Sequence, residues 1–417
     1  MNNELMEKYY SNLKSMKIGI VGFFNPYTVI DYLSEENKLK VTSINDTATG
    51  VNVLVKSLLE TGIKVVVFTG NNDSYSDSVL FGEQITIHII GLKVRHRYFL
   101  FFAIVLIISN RIKKSISGNI SDIDILHAQW TYEFAYACRK FVDIIPVVCT
   151  VRDWAPFIYT SLSGLKTKIL WLQKIRMSKI TLANSKIHFI SNSYYTQQHI
   201  LSVHPEYNVP IIFNSFEDSY ILQERERYPE HYTFISISPD IDDKRKNCIK
   251  LIQAFAIFRQ KYPDAKLLMI GKINYNGSLY KKLVEQDCLI NVEFRGYVEH
   301  NRLIEILDNV TCLVHPSIEE TFGNTLLEGM ARRIPIIGGE FSGAVPNVLK
   351  KGKCGCLCDV TNPGSIAEAM LKIIEDPAYT SSIVNNATFA MLNEYAGSIV
   401  AQKHLKLYTS IKESQTC

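Results

Sequence analysis

Short apolar runs alternate with amphipathic stretches along the chain, and they fall into two blocks. In the first block the apolar runs are Ile18–Val21, Val65–Phe68, Ile85–Ile90, Ile123–His127, Pro146–Thr150 and Lys186–Ile190. The helix-patterned segments between them are Asn52–Glu60, Tyr98–Ser115, Tyr132–Phe141 and Leu162–Leu182. Runs rich in β-branched residues, separated by helical spacers, are typical of βαβ units in a parallel sheet. The first block therefore predicts an α/β domain.

The second block repeats this order after the polar stretch Ser215–His231, which we interpret as a linker. Its predicted strands are Tyr232–Ser238, Lys266–Ile270, Val292–Arg295, Cys312–His315 and Pro335–Gly338. Its predicted helices are Cys248–Tyr262, Ser278–Gln286, Leu303–Leu307, Thr325–Arg332, Ile366–Glu375, Thr380–Leu392 and Ser398–Ile411. The pattern predicts two doubly wound, Rossmann-like domains. Ligands of such sheets bind outside the carboxyl ends of the strands, so we expect a site in a cleft between facing domains.

Length and composition agree with this architecture, because 417 residues suit two domains of about 200 residues each. The chain is 47% hydrophobic and 21% charged, as in a globular protein. Its net charge of +4 is too small to indicate a nucleic-acid partner, and no basic repeat with interleaved aromatics occurs. Residues Met1–Met16 lack the apolar core of a signal peptide, so we expect a cytoplasmic protein.

The nine cysteines have no framework spacing, which indicates reduced thiols. Cys354, Cys356 and Cys358 alternate, so a strand would place all three thiols on one face. A metal site is one interpretation, but no histidine or second ligand pair lies nearby at zinc spacing. We favour small residues packing a short strand, and no metal site is predicted.

The apolar run Tyr98–Ser109 has basic residues before and after it, among them Arg95, Arg97, Arg111 and Lys113. It is too short to span a bilayer, which takes about 20 residues. The favoured interpretation is a helix buried against the first sheet. The alternative is a helix lying on an anionic membrane surface.

The most informative segment follows the predicted strand Cys312–His315. Gly323 permits a tight turn, and Asn324 or Thr325 can cap the helix that carries Glu328. A helix N-terminus at a strand's carboxyl end suits a diphosphate. Glu320 could accept hydrogen bonds from sugar hydroxyls, and Glu328 from the two hydroxyls of a ribose. Taken alone, two glutamates at this spacing also suit an ordinary helix start.

The segment Glu320-Thr-Phe-Gly-Asn-Thr-Leu-Leu-Glu328 resembles the E-x-F-G-x-x-x-x-E signature of glycosyltransferase family 4. The flanks His315-Pro-Ser317, Gly329-Met-Ala331 and Ile334-Pro-Ile-Ile337 agree with it. The resemblance implies a GT-B architecture and a retaining, metal-independent transferase. It also implies an N-terminal extension at residues 1–16, an acceptor domain at 17–215, a donor domain at 216–395 and a last helix at 396–417 that returns to the first domain.

The family pattern also implies roles for residues of the second domain. Glu320, with the backbone of Phe322 and Gly323, would hold the donor sugar beside the helix start at Asn324 and Thr325. Glu328 would bind the ribose, and Lys246 would neutralise the leaving diphosphate. The family arginine has no counterpart, since its place holds Pro239 or Asp240, and Arg245 or Lys244 is a candidate to supply the charge. The loop Gly296-Tyr297-Val298 would pair with the base.

The first domain departs further from the family pattern. Asp124-Ile-Leu-His127 and Thr150-Val-Arg152-Asp153-Trp154 resemble two family segments, but Arg152 replaces a histidine that lines the reaction centre in relatives. Arginine cannot act as a general base at neutral pH. Arg152 would either stabilise developing negative charge or form a structural ion pair with Asp153. On the acceptor side the resemblance implies Gly50, His127, Asp153 and Trp154.

These features predict a transferase that uses a nucleoside-diphosphate sugar, with UDP favoured, and no other cofactor. The expected acceptor is a glycan or a polyprenyl-linked oligosaccharide in cell-surface polysaccharide synthesis. Contact with the inner face of the membrane is part of the prediction, and nucleic acid is not. The alternatives are a nucleotide-sugar epimerase or hydrolase of the same fold, and a degenerate transferase that serves as an assembly partner.

Overall fold

The computed structural model describes residues 16–44, 48–94, 103–162, 164–225, 229 and 231–416. The chain divides into two compact units, one formed by Met1–Ser215 with Gly397–Cys417 and the other by Phe216–Ala396. Each unit contains a parallel sheet with helices, which confirms the predicted α/β fold class. The predicted extension at residues 1–15 lies outside the described residues, as do positions 98–102 of the apolar run.

The first unit has a seven-stranded sheet in the order β3-β4-β2-β1-β5-β6-β7. Its strands are β1 Lys17–Val21, β2 Lys64–Asn71, β3 Ser78–Phe81, β4 Ile85–Gly91, β5 Ile125–Gln129, β6 Val147–Val151 and β7 Ile187–Ser191. Its α-helices are Glu35–Lys38, Thr49–Glu60, Ile104–Ser117, Glu133–Cys138, Ala155–Ser161, Leu165–Leu182, Tyr194–Val203 and Gly397–Thr416. Two 3-10 helices occur at Pro26–Tyr32 and Ile120–Asp122. Only β3, at the edge of the described sheet, pairs antiparallel.

Helices cover both faces of this sheet, and β2 shows why its strands are apolar throughout. Val65 and Val67 pack in one core cluster with the helices Thr49–Glu60 and Gly397–Thr416. Val66 and Phe68 point to the other face and pack in a second cluster. Because side chains alternate along a strand, a strand that is covered on both faces must be apolar at every position.

The second unit has a six-stranded parallel sheet in the order β10-β9-β8-β11-β12-β13. Its strands are β8 Thr233–Asp240, β9 Lys266–Lys272, β10 Val292–Gly296, β11 Cys312–His315, β12 Ile336–Gly339 and β13 Cys356–Cys358. Its α-helices are Cys248–Phe258, Ser278–Glu285, His300–Leu307, Asn324–Ala331, Val345–Val348, Pro363–Glu375 and Pro377–Ala390. Shorter helical turns occur at Asp218–Tyr220, Lys244–Lys246, Lys350–Gly352 and Met391–Tyr395.

Several elements differ from the prediction. The predicted helix Leu162–Leu182 begins only at Leu165, after Gly164 with its positive φ of 90°, and the separate helix Ala155–Ser161 before it was not predicted. The strand β3 was missed because it is only four residues long, lies at an edge and is largely exposed. The helix Tyr194–Val203 was also missed, since most of its residues are polar.

Two interpretations of the sequence can be compared with the described residues. The helix Ile104–Ser117 buries Val105 of the apolar run, and Ile112 and Ile116 beyond the run pack in the core of the first unit, which agrees with the favoured interpretation for the described part of the run. The described cysteines are buried free thiols, and no group of three or more His, Cys, Asp or Glu in the described chain is arranged to hold a metal ion. Across the same residues, no helix is both long and apolar enough to cross a membrane.

Candidate functional site

The loops after β8 and β11 meet because these two strands are neighbours in the second sheet. The amide of Ile318 donates to the carbonyl of Arg245 at 2.8 Å. Asn247 lies in the left-handed region with φ of 54°, and its amide nitrogen donates to the carbonyls of Pro316 at 3.2 Å and Val360 at 2.8 Å. These bonds fix the basic loop Lys244–Lys246 beside the loop that follows β11.

A charged cluster forms where the two loops meet. Lys246 Nζ donates to Glu320 Oε1, and His315 Nε2 approaches the same oxygen at 3.3 Å. All three side chains are largely buried. His315 Nδ1 lies 3.0 Å from Thr325 Oγ1, so the imidazole links the carboxylate to the first turn of the following helix.

The ionisation of Glu320 follows from this arrangement. Burial alone would raise the pKa of Glu320, but the charge of Lys246 and the nearby His315 outweigh it and hold the pKa well below its usual range. Glu320 is therefore a carboxylate at neutral pH. A fixed carboxylate of this kind can accept hydrogen bonds from the hydroxyls of a ligand.

The backbone of Glu320 is held from the opposite side by the turn at Gly343. The amide of Ala344 donates to the Glu320 carbonyl at 2.9 Å. Gly343 has a positive φ of 59°, and a Cβ added there would lie 2.4 Å from that carbonyl oxygen. Glycine at position 343 therefore allows the close approach that sets the position of Glu320.

The helix Asn324–Ala331 begins immediately after this loop. Gly323, with φ of 88°, occupies the capping position, so the predicted side-chain cap by Asn324 or Thr325 is wrong: both are the first residues of the helix itself. The Phe322 side chain is buried against the Tyr395 ring, with 6.1 Å between centroids, so only its backbone is suited to contact a ligand. The amides at the helix start and the helix dipole favour an anion at this point.

Glu328 lies one turn further along the same helix. Its side chain is only 7% exposed, and its Oε2 has no hydrogen-bond partner among the described residues. Burial raises the pKa of Glu328 to about 7. A buried carboxylate oxygen without a partner is costly, and hydroxyl donors from a ligand would satisfy it.

The other predicted residues of the second unit lie near strand ends but outside this cluster. Arg245 Nη2 pairs with Asp243 Oδ2 at 2.8 Å, so its charge is already partly neutralised. Gly296, with φ of 67°, ends β10, and Tyr297 after it is 68% exposed. Val298 is half-buried. This arrangement leaves Tyr297 accessible to a ligand.

In the first unit, Arg152 follows β6 and is bound by neutral side chains. Its Nε donates to Gln129 Oε1 at 2.7 Å, and its Nη1 donates to Asn214 Oδ1 at 2.6 Å. Burial lowers the pKa of Arg152 to about 10, so the guanidinium stays charged at neutral pH. Gly50 lies beside this guanidinium, because a Cβ at position 50 would be 2.9 Å from Arg152 Nη1.

The hypothesis that Arg152 and Asp153 form a structural ion pair is wrong. In the described part of the chain, Arg152 makes no ion pair with Asp153, which instead accepts from the Tyr132 hydroxyl at 2.6 Å. Burial raises the pKa of Asp153 to about 6. Trp154 stacks on His199 with 5.2 Å between ring centroids. Arg152 therefore forms no salt bridge with a carboxylate among the described residues.

His127, expected on the acceptor side, is fully buried. Its Nδ1 lies 2.6 Å from the Tyr408 hydroxyl and its Nε2 lies 2.6 Å from Thr150 Oγ1. Burial lowers the pKa of His127 well below its usual value, so the ring is neutral. Both ring nitrogens are used to join β5, β6 and the last helix, a placement that suits a structural role rather than contact with an acceptor.

Three residues of the second-unit cluster were not predicted. From the sequence, His315 is included only as part of a flank, and neither Asn247 nor Gly343 is singled out. Their roles depend on contacts across the sheet and on backbone conformation. The positive φ of Asn247 was the one partly readable signal, because asparagine adopts this region more readily than most residues.

Two family models match this chain. The model described as "Glycosyltransferase Family 4" matches residues 47–217, and the model described as "Glycosyl transferases group 1" matches residues 224–388. The chain is 28% identical over 176 residues to the capsular polysaccharide biosynthesis glycosyltransferase CapM of Staphylococcus aureus. That match covers 41% of this chain and 45% of CapM, so it spans less than half of the relative.

Solved structures with the same fold cover nearly the whole chain. Sucrose-phosphate synthase from Thermosynechococcus elongatus aligns with a TM-score of 0.72 at 17% identity, over 96% of this chain and 100% of that one. The Anabaena protein HepE, solved in complex with UDP and glucose, aligns with a TM-score of 0.62 at 14% identity, over 95% of this chain and 100% of that one. At these identities the similarity concerns the fold.

Proposed function

Because this chain belongs to glycosyltransferase family 4 and has the GT-B fold, we propose that it transfers a sugar, with retention of configuration, from a nucleoside-diphosphate sugar to a glycan or polyprenyl-linked oligosaccharide. The observation that carries this proposal is the polar cluster of the second unit. A cation and a fixed carboxylate lie beside the start of one helix, and that helix carries a buried carboxylate with an oxygen that lacks a hydrogen-bond partner among the described residues.

The chemistry of a nucleoside-diphosphate sugar fits these groups one by one. The diphosphate would lie at the start of the helix Asn324–Ala331, near Lys246, where both the dipole and the ammonium favour negative charge. The ribose hydroxyls would donate to Glu328, and the sugar hydroxyls to Glu320. The base would contact the loop Gly296-Tyr297-Val298 at the end of β10.

In the proposed reaction the bond between the anomeric carbon and the diphosphate oxygen breaks, and a bond from that carbon to an acceptor oxygen forms on the same face. The acceptor proton goes to the departing phosphate oxygen. The principal demand on the protein is then to stabilise charge on the leaving diphosphate. Lys246 serves this need in the proposal. From the sequence, Arg152 of the first unit is also proposed as a source of positive charge, and its guanidinium has only neutral hydrogen-bond partners among the described residues.

We propose UDP as the nucleotide and cell-surface polysaccharide synthesis as the process, with no metal or other cofactor. The UDP and glucose bound to HepE support the first point by analogy of fold. The similarity to CapM, named for capsular polysaccharide synthesis, supports the second. The proposal includes a cytoplasmic location, with contact to the inner face of the membrane where a polyprenyl-linked acceptor would be found.

A binding panel tests the donor site. Calorimetric titration with UDP, GDP and ADP should show saturable binding of one nucleotide, with UDP the tightest. Glu328→Gln should weaken that binding about tenfold, because a buried hydrogen bond to a charged group is lost. Glu368→Gln removes an exposed glutamate from the helix Pro363–Glu375 of the same unit and is the matched control.

Two further outcomes separate the alternatives. Incubation with donor alone should give at most slow hydrolysis, and rapid turnover would instead indicate an epimerase or hydrolase. No binding of any nucleoside diphosphate would indicate a non-catalytic assembly partner. With acceptor present, the proton NMR coupling constant of the new glycosidic bond reports whether the anomeric configuration is retained.

A further inference from the structure

The net positive charge of this chain comes from two stretches of the first unit that contain basic residues but no acidic ones. Residues 84–121 and 154–205 hold twelve of the 45 Lys and Arg residues and none of the 41 Asp and Glu residues. The rest of the sequence therefore contains more acidic than basic residues, although the chain as a whole has a net charge of +4. Such a separation of charge indicates a surface directed at a negatively charged partner.

Each stretch supplies one long helix, and the two helices lie beside each other. The helix Ile104–Ser117 comes from the first stretch and Leu165–Leu182 from the second. They share a small apolar cluster in which Val105 packs with Met177, alongside the partly buried Ile104, Leu170 and Trp171. We call this region of the first unit the helix pair.

The outward face of Leu165–Leu182 combines apolar and basic residues. Positions 165, 172, 176 and 179 fall within about 60° of one another on a helix that turns 100° per residue. They are Leu165, which is 76% exposed, Leu172, which is 50% exposed, and the exposed cations Arg176 and Lys179. The partner helix shows the same combination, because Leu106 and Lys114 are exposed while Val105 and Ile112 are buried.

The basic side chains of the helix Leu165–Leu182 have different surroundings on its inward and outward faces. Lys174 points inward, where its Nζ lies 3.0 Å from Glu133 Oε1 and 4.3 Å from the centre of the Tyr132 ring. Arg176 and Lys179 point outward and make no ion pair with any residue that the structure describes. The inner lysine therefore anchors the helix, and the outer charges are available to a partner.

Exposed leucines beside unpaired cations suit a bilayer surface with anionic headgroups. The leucines would leave water for the acyl boundary, where burial of their apolar surface is favourable. The cations would meet the negatively charged lipid phosphates. An acidic protein surface would satisfy the charges but would give the outward leucines no matching environment.

We propose that the helix pair docks this protein on a membrane rich in anionic lipid. This inference rests on the proposed function, since a polyprenyl-linked acceptor lies in such a membrane, and it names the surface that would reach it. It differs from the interpretation of the sequence, in which a membrane-surface helix is considered only for the run at 98–109 and only as the alternative to a buried helix. Most of that run's described residues contribute to the packing of the helix Ile104–Ser117, and the outward stripe lies chiefly on Leu165–Leu182.

Co-sedimentation of the full chain with vesicles tests the proposal. Without nucleotide, the protein should bind vesicles of phosphatidylcholine with one-third phosphatidylglycerol and should not bind pure phosphatidylcholine. Binding should weaken as salt is raised. Arg176→Glu with Lys179→Glu should lower the affinity at least tenfold, and Leu165→Ser with Leu172→Ser should lower it severalfold.

Matched controls come from the second unit. Lys281→Glu with Lys282→Glu makes the same charge change on the exposed face of the helix Ser278–Glu285, and Val284→Ser removes an exposed apolar side chain there. Both controls should keep wild-type vesicle binding. The proposal is overturned if wild-type protein does not bind anionic vesicles, or if the controls lose as much affinity as the helix-pair variants.

UDP binding separates this inference from the proposed function. The helix-pair variants should bind UDP as the wild type does. Their circular dichroism spectra and thermal unfolding should also match the wild type, which shows that the first unit is folded. Wild-type protein that binds anionic vesicles but no nucleoside diphosphate would support membrane docking and contradict the transferase. Protein that binds UDP but no vesicles would support the donor site and contradict the docking surface.

Discussion

The carboxyl ends of the two parallel sheets use their polar side chains in opposite ways. In the second unit, Glu320 is held ionised by Lys246, and Glu328 has a buried oxygen without a partner in the described chain. In the first unit, His127 has both ring nitrogens occupied by Thr150 and Tyr408. The polar side chains of the second unit's strand end are suited to bind a ligand, whereas those of the first unit chiefly hold its own strands and last helix together.

Arg152 is an exception among the polar residues at the strand ends of the first unit. It belongs to the first unit, and its hydrogen bonds to Gln129 and Asn214 fix its position. Both partners are neutral, so they orient the guanidinium without cancelling its charge. A residue can therefore be well anchored and still offer charge to a ligand, which His127, neutral and fully enclosed, cannot do.

The largest effect is expected at Glu320. Glu320→Gln should lower kcat/KM for transfer about 1000-fold, because it removes the fixed carboxylate at the sugar and leaves Lys246 without its partner. Steady-state kinetics measure this loss. Glu319→Gln, one residue earlier in the same loop, is the control and should keep nearly full activity. An equal loss of kcat/KM in both variants would contradict the proposal that Glu320 itself binds the sugar.

Gly343→Ala tests whether the position of Glu320 matters as much as its charge. The new Cβ would lie 2.4 Å from the Glu320 carbonyl oxygen, so we expect about a 100-fold loss of kcat from displacement of the loop. Gly352→Ala is the control, since Gly352 also has a positive φ, of 89°, but its nearest neighbour lies 3.9 Å away. It should cost about 1–2 kcal/mol of stability and leave kcat intact.

Arg152→Met asks whether the first unit contributes charge to the reaction. We expect kcat to fall about 30-fold through lost stabilisation of the leaving group. The free energy of unfolding should fall by about 1–2 kcal/mol, since Gln129 and Asn214 lose a donor. Steady-state kinetics and denaturant unfolding of the same variant separate the effect on kcat from the effect on stability. An unchanged kcat with lowered stability would show that Arg152 has a structural role and does not act in the reaction.

Glu328 should make nucleotide binding depend on pH. Its carboxyl has a folded pKa of about 7, above the ordinary 4.5, and ribose hydroxyls bind the ionised form. UDP affinity should therefore rise up to about tenfold between pH 6 and pH 8 in the wild type, and less in Glu328→Gln, where only the titration of UDP itself remains. Calorimetry at several pH values measures both.

The same shift has a consequence for stability with the opposite sign. A carboxyl with a raised folded pKa costs nothing below the unfolded pKa, and its cost grows as pH rises through the folded value near 7. Glu328→Gln should thus stabilise the ligand-free protein at pH 8 by about 2 kcal/mol and have little effect at pH 4.5. A destabilised variant at pH 8 would show that Glu328 has an internal partner.

The smallest effect on activity is expected at His127. His127→Ala should lower the free energy of unfolding by about 3 kcal/mol, because Thr150 and Tyr408 lose their buried partner and a cavity forms. The kcat of the folded fraction should be unchanged. A large loss of kcat without loss of stability would show that the first-unit strand end is catalytic after all.

The sheets and the donor motif could be predicted because both depend on residues that are close together in the sequence. The apolar runs at β2 and β11 reveal buried parallel strands, and the family signature marks Glu320 and Glu328. Elements with weak local patterns were missed. The helix Tyr194–Val203 is mostly polar, although Ser193 before it caps it through a bond to the Thr196 amide at 3.1 Å, which was a readable start signal.

The site could be predicted only in part, because several of its features arise from tertiary contacts. Nothing in the sequence indicates that His315 would approach Glu320, or that a turn at Gly343 would hold the Glu320 backbone. The partners of Arg152 come from positions 23 residues before it and 62 after it. A sequence pattern identifies such residue types, but only the packed fold shows which of them meet.

The most direct test of the donor site is a crystal structure of the protein with the nucleoside diphosphate that binds most tightly. We expect the diphosphate at the start of the helix Asn324–Ala331 near Lys246, and both ribose hydroxyls on Glu328. A nucleotide bound elsewhere, with Glu328 still buried and without a ligand partner, would contradict it.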